Sequence, residues 1–193
     1  MPRQPRYEIA GGYYHVTARG NGGETIFLDN DDYVFFLSFL TRIVARFDWR
    51  CFAYCLLPNH YHLVLQIAAE TLARGMRSLN GLYAHTHNGR HGREGHLFGG
   101  RYRTGFIQSE DHLAKACRSV DLNPVRAGLC AYPRQWPWSS CRALVGEIPP
   151  PLFLSLDVVQ SFGEQQAYAA YVEDGLAAIR AERQQWKGSD RTV

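Results

Sequence analysis

An α+β fold, an antiparallel sheet of the split β-α-β kind with helices on one face, is predicted by three observations. Apolar residues change from period-two alternation to three- and four-residue spacing and back, in the order β, α, β, β, α, β, α. The junctions carry glycine, proline and asparagine as turns require. Hydrophobic residues make up 46% of the 193, enough to close one core under such a sheet.

Each element has its own signal. Residues 13–18, "YYHVTA", are aromatic and β-branched and stop at the glycine-rich "RGNGGE", a strand followed by a turn. The run 30–47 opens on Asn and Asp with acidic first-turn residues, then spaces its apolar side chains as a helix does. Trp49 to Leu57 is a second strand, halted by Pro58 and Asn59, and His60 to Ile67 is a third, so a hairpin is expected. Leu72 to Asn88 is helical in pattern, and "HNGRHGREGH" reads as a glycine-broken basic loop. "LFGGRYRTGFIQS" returns as a strand or loose hairpin. A third helix starts at Ser109, with Glu110 and Asp111 favourable to its dipole, and Pro124 should end it at Asn123. The order is that of a ferredoxin-like sheet. Beyond Leu129, "YPRQWPWSS" and "GEIPPPLF" form an irregular wrap in which Trp136 and Trp138 anchor to the core, and 156–185 holds two weaker helical segments.

Composition narrows the function classes. The five cysteines form no C-x-x-C pair and are odd in number, which suits free thiols in a reducing cytoplasm and argues against a cysteine zinc site. No apolar run exceeds the seven residues of Cys51–Leu57, so no membrane partner is expected. The net charge of +3 is uneven: residues 74–134 carry 10 basic against 4 acidic side chains. That stretch interleaves Tyr83, Phe98, Tyr102 and Phe106 with Arg90, Arg93, Arg101 and Arg103. Basic groups beside aromatic faces suit a phosphate backbone and stacked bases.

Chemistry is concentrated in "LLPNHYHLVLQ". Strand side chains alternate, so His60 and His62 share a face about 7 Å apart along the strand, with Gln66 further down and Tyr61, Leu63 and Leu65 on the other face. Two neutral imidazoles on one face make a bidentate site for a divalent metal, and a third ligand must come from another element. In "CRSVDLNPVRAGL", Ser119 and Asn123 are four apart and share a helical stripe with Lys115 and His112. Asn123 can offer its carbonyl oxygen, with residue 119 beside it where a nucleophile would stand. An oxygen with two imidazoles favours Mg2+ or Mn2+.

Four segments, "YYHVTARGNGGETIFLD", "CLLPNHYHLVLQ", "LARGMRSLNGLYAHTHNGRHGREGHLFGGRYRT" and "LNPVRAGLCAYPRQWPWSS", together resemble the single-tyrosine HUH transposases. Within that family they resemble the REP-associated tyrosine transposases, in register from about Pro5 to Ala143. The resemblance implies a ferredoxin-like unit over residues 1–145 that cuts and rejoins single-stranded DNA near small hairpins, followed by a helical extension over 146–193. It implies Mg2+ or Mn2+ on His60 and His62 with Asn123 as third ligand, a helix tyrosine that forms a 5′-phosphotyrosine, and a monomeric or homodimeric cytoplasmic protein.

In register, the tyrosine position holds Ser119. A serine hydroxyl is shorter and a much weaker acid than a phenol, so it is a poor nucleophile and leaving group at the same phosphorus. Four readings stay open: binding of hairpin DNA without covalent chemistry, attack by another tyrosine such as Tyr102 or Tyr83, hydrolysis by metal-activated water, and an inert relic of a mobile element. For holding DNA, the pairs Arg74 with Arg77 and Arg101 with Arg103 each present a basic row, and Arg3 and Arg6 form a basic arm.

Overall fold

The computed structural model describes residues 8–189. Four strands, β1 (Tyr13–Arg19), β2 (Trp49–Leu57), β3 (His60–Ile67) and β4 (Arg103–Ile107), form one sheet in the order β2-β3-β1-β4. Every neighbouring pair is antiparallel. β3 therefore lies between β1 and β2, the split β-α-β arrangement expected, and the elements follow the expected order.

Two helices, α1 (Asn30–Arg46) and α2 (Leu72–His91), cross one face. There Tyr61 packs against Phe36 with the rings tilted and 4.6 Å between centroids, and its hydroxyl donates to Asn80 Oδ1 at 2.5 Å. The third helix, α3 (Glu110–Arg126), lies over the opposite face, where His112, Lys115 and Ser119 meet His15 and Gly105. Helices on one face thus describes the two crossover helices; α3 covers the face that bears the histidines.

Two helix ends differ from expectation. α2 runs past Asn88 to His91 and is closed by Gly92, whose φ of 59° is the left-handed conformation that glycine adopts without steric cost. The predicted basic loop is therefore helical in its first half. α3 continues through Pro124 to Arg126 instead of stopping at Asn123. Pro124 and Val125 are both buried, and the Gly128 and Leu129 amides bond to the Val125 and Pro124 carbonyls, so packing and a closed turn offset the hydrogen bond that proline cannot donate.

The helix starts follow local rules. Asp29 caps α1 by accepting from the Asp32 amide at 2.9 Å, and Ser109 caps α3 by accepting from the His112 amide at 3.2 Å. The start of α2 is served from outside: Glu8 accepts from the Leu72 and Ala73 amides at 2.8 and 2.7 Å.

The C-terminal part shields β2, which would otherwise be an open edge. The Leu56 amide donates to Trp138 O and the Ser155 amide to Cys51 O. Trp136 Nε1 donates to Leu56 O at 2.9 Å, and Trp138 stacks on Tyr33 at 4.5 Å; both tryptophans pack on the core as expected. Short helices α4 (Cys141–Leu144) and α5 (Asp157–Gln160) lead to the long α6 (Gln165–Ser189), which packs on α3. The joint is Asp121, fully buried, which accepts from Tyr168 Oη at 2.8 Å and Ser140 Oγ at 3.0 Å. Burial pushes its carboxyl up to about 7. All five cysteines are free, and no helix among the described residues is long and apolar enough to cross a membrane.

Candidate metal centre and nucleic-acid interface

The antiparallel register sets Thr17 opposite His62 and Arg19 opposite His60, with Arg103 beyond Thr17 on β4. Directly opposed residues project to the same face, so His15, Thr17, Arg19, His60, His62 and Arg103 form one polar surface. The rings of His60 and His62 lie 5.0 Å apart, edge to face, so the two imidazoles converge as the alternation predicts.

The remaining contacts engage Nδ1 of each ring. His60 Nδ1 lies 2.7 Å from Asn59 Oδ1, an acceptor, and therefore carries the proton. His62 Nδ1 lies 3.0 Å from His15 Nε2 and 3.2 Å from Thr17 Oγ1. A proton on that nitrogen leaves Nε2 of His62 as its lone pair, matching His60. Outer partners that fix one imidazole nitrogen and free the other are the usual support of a metal-binding histidine. Electrostatics favours the same state. Burial, with His15 and His60 adding to it, holds His62 down to about 3; burial and then Arg19 lower His60. Both are neutral near pH 7, the state in which an imidazole can bind a metal.

These residues open onto a cleft of about 790 Å³ lined by Arg19, Arg101 and Arg103 and floored by Gly20–Gly22 and Gly99–Gly100. Gly20 has no alternative here, since a Cβ would stand 2.1 Å from Glu24 O. The segment after α2 is pinned to the cleft by Gly99 N to Arg19 O at 3.0 Å and Asn21 N to Leu97 O at 2.9 Å. A second opening of about 260 Å³ adjoins it, lined by His15, His112, Lys115 and Ser119. His15 links the two through its contact with His62.

The predicted residues divide accordingly. His60, His62, Arg101 and Arg103 come together in the larger cleft, and Ser119 faces the smaller with His112 and Lys115, on the expected helical stripe. Ser119 Oγ accepts from Arg126 at 2.9 Å. Asn123 lines neither opening, but its Nδ2 is buried without a hydrogen-bond partner. Arg77 borders a separate groove with Arg101 and Tyr102, and Arg74 lies over the Phe47 ring at 5.5 Å. Tyr83 is in the core on the other face with its hydroxyl on Ile26 O, and Tyr102 is buried against α2; neither faces the histidines. Arg3 and Arg6 lie outside the described residues. His15, Thr17 and Arg19 were missed by the motif-based reading, although the alternation that singled out His60 and His62 applies equally to "YHVTAR".

No family model and no curated protein matches the chain. Among solved structures, one of a REP-associated tyrosine transposase bound to a REP hairpin is similar at a TM-score of 0.66 and 19% identity, covering 82% of this chain and 93% of that one. A Deinococcus radiodurans R1 protein assigned as a transposase is similar at a TM-score of 0.44 and 16% identity over 56% of this chain and 88% of that one. The likeness to the hairpin-bound structure extends over most of both chains: the chain has the fold of a REP-associated tyrosine transposase.

Proposed function

We propose that the protein is a transposase-type DNA-binding protein that holds single-stranded, hairpin-forming DNA across the histidine face, and that Ser119 has cost it covalent strand transfer. One observation carries this reading: two neutral imidazoles, each with Nδ1 engaged and Nε2 free, open into a cleft walled by Arg19, Arg101 and Arg103. The similar fold of a transposase bound to a REP hairpin supports DNA as the partner.

His60 and His62 would hold Mg2+ or Mn2+, and the buried, unpartnered amide of Asn123 fits a third ligand once its oxygen takes the place of its nitrogen. Such an ion would withdraw charge from a phosphate oxygen in the cleft. The arginines neutralise the flanking phosphates and set register without reading sequence. Residues 1–145 would form the DNA-processing unit, with 146–193 as an extension buttressing α3. Ser119 stands on the nucleophile's stripe, bonded to Arg126, with a hydroxyl too short and too weakly acidic to replace a phenol.

A second reading, hydrolysis by water, draws on His15. Burial and then His112 lower its pKa, making it a neutral imidazole in the smaller opening and in contact with His62, whereas Asp121 is buried and occupied by Tyr168 and Ser140. The test is fluorescence anisotropy with labelled hairpin repeats from the gene's flanks against a blunt duplex of the same composition, in Mn2+. Preferential, salt-sensitive binding of the hairpin is expected; equal binding of both would overturn the proposal.

A further inference from the structure

We infer that the protein has a second, structural metal site, made by Asp32 at the start of α1 with His87 and His91 at the end of α2, and suited to Zn2+. One ligand atom from each of the three residues falls within 4.8 Å of the others. This site lies on the crossover-helix side of the sheet and is independent of the proposed DNA chemistry.

The observation that calls for a ligand is His87. It is fully buried, and neither ring nitrogen has a hydrogen-bond partner; its Nε2 stands 3.9 Å from Asp32 Oδ2, too far for a hydrogen bond. A buried imidazole with both nitrogens unsatisfied is costly, and a metal bound at Nε2 removes much of that cost. A hydrogen bond to Asp32 accounts for His91, whose Nε2 lies 3.1 and 3.0 Å from the two carboxylate oxygens, but nothing of the kind accounts for His87.

Helical spacing supplies the geometry. His87 and His91 are four apart near the end of α2, so their rings share a face, 4.6 Å between centroids. Asp32 is almost wholly buried opposite them and oriented from outside, by the Leu28 amide at 2.8 Å on Oδ2 and by Arg90 on Oδ1. Such outer partners fix a ligating carboxylate. Arg90 also pairs with Asp29 and Asp31. Three carboxylates against one guanidinium leave two negative charges, which a divalent cation would balance. Two imidazoles with one buried, charged carboxylate are a zinc donor set, unlike the neutral amide oxygen considered beside His60 and His62, and the fourth position is left to water on the His91 side. A metal here would tie α1 to α2 where the chain enters the segment leading to Arg101 and the DNA cleft.

The test uses the full chain carrying His60→Ala and His62→Ala, which removes the other imidazole pair. Co2+ titration should give one equivalent with the visible spectrum of tetrahedral coordination, displaced by Zn2+, and Zn2+ should raise the melting temperature by mass action. His87→Phe, which fills the same space, should abolish both the spectrum and the shift, and His91→Gln should weaken binding at least tenfold. If His87→Phe does not fold, as circular dichroism would show, His91→Gln decides alone. Absence of bound Co2+, or binding unchanged by the substitution that decides, would overturn the inference.

Discussion

Adjacent residues of β3 live in two different environments. Tyr61, Leu63 and Leu65 are fully buried beneath α1 and α2, whereas His60, His62 and Gln66 are only partly buried on the face covered by α3, where Val64 is the one β3 residue that is fully buried. One face is built of aromatic and aliphatic contacts with few polar atoms to satisfy. The other tolerates imidazoles and arginines because a cleft leaves them partly hydrated. Period-two alternation therefore separates the residues that hold the fold from those available for chemistry, within a single strand.

The sharpest way to break this comparison is to truncate both faces. Tyr61→Ala should cost about 3–5 kcal/mol, the range for a large core aromatic, while His62→Ala should cost about 1 kcal/mol or less and abolish metal binding at the cleft. Chemical denaturation reads both; an equal loss would mean that the histidine face is core.

Helix α3 shows the same division. Ser119 and His112 face the smaller opening beside His15, and Asp121 is buried against α6. The Asp121 carboxyl is raised from 3.8 to about 7 in the folded protein, so between these values the native state binds more protons than the unfolded one. Its contribution to stability falls as pH rises from about 4 to about 7, by up to roughly 4 kcal/mol, and the loss is complete above that window. Denaturation at pH 5 and pH 8 should reveal it, and Asp121→Asn should flatten the difference; an unchanged profile would show that the carboxylate is already ionised at the joint.

A smaller effect sharpens the polar side. Arg101→Ala with Arg103→Ala should weaken hairpin binding and lower the slope of log K against log salt by about 1.4, two single-strand phosphate contacts' worth. An unchanged slope would remove these arginines from the interface.

Much of this was legible in the sequence where local pattern and tertiary environment agree. The order of elements, the hairpin at Pro58-Asn59 and the convergence of His60 with His62 follow from periodicity and turn residues. What was not legible depends on neighbours. Gly89 and Gly92 read as breakers of one loop, but only Gly92 ends the helix, so the i, i+4 relation of His87 and His91 was hidden. Pro124 biases its predecessor out of the helix, and only the burial of Pro124 and Val125 overrides that bias. Asp32 reads as an ordinary first-turn acid; that two histidines 55 and 59 residues later come to rest on it is a fact of the α1–α2 crossing.

The central claim is that the histidine face is a working DNA site whose nucleophile is missing. Labelled single-stranded hairpin repeats from the gene's flanks, incubated with Mn2+ and either the unaltered chain or Ser119→Tyr, test it most directly. Cleavage accompanied by a covalent protein–DNA adduct in the tyrosine variant alone is the predicted result. Cleavage by the unaltered chain would contradict it and assign the attack to water or another residue.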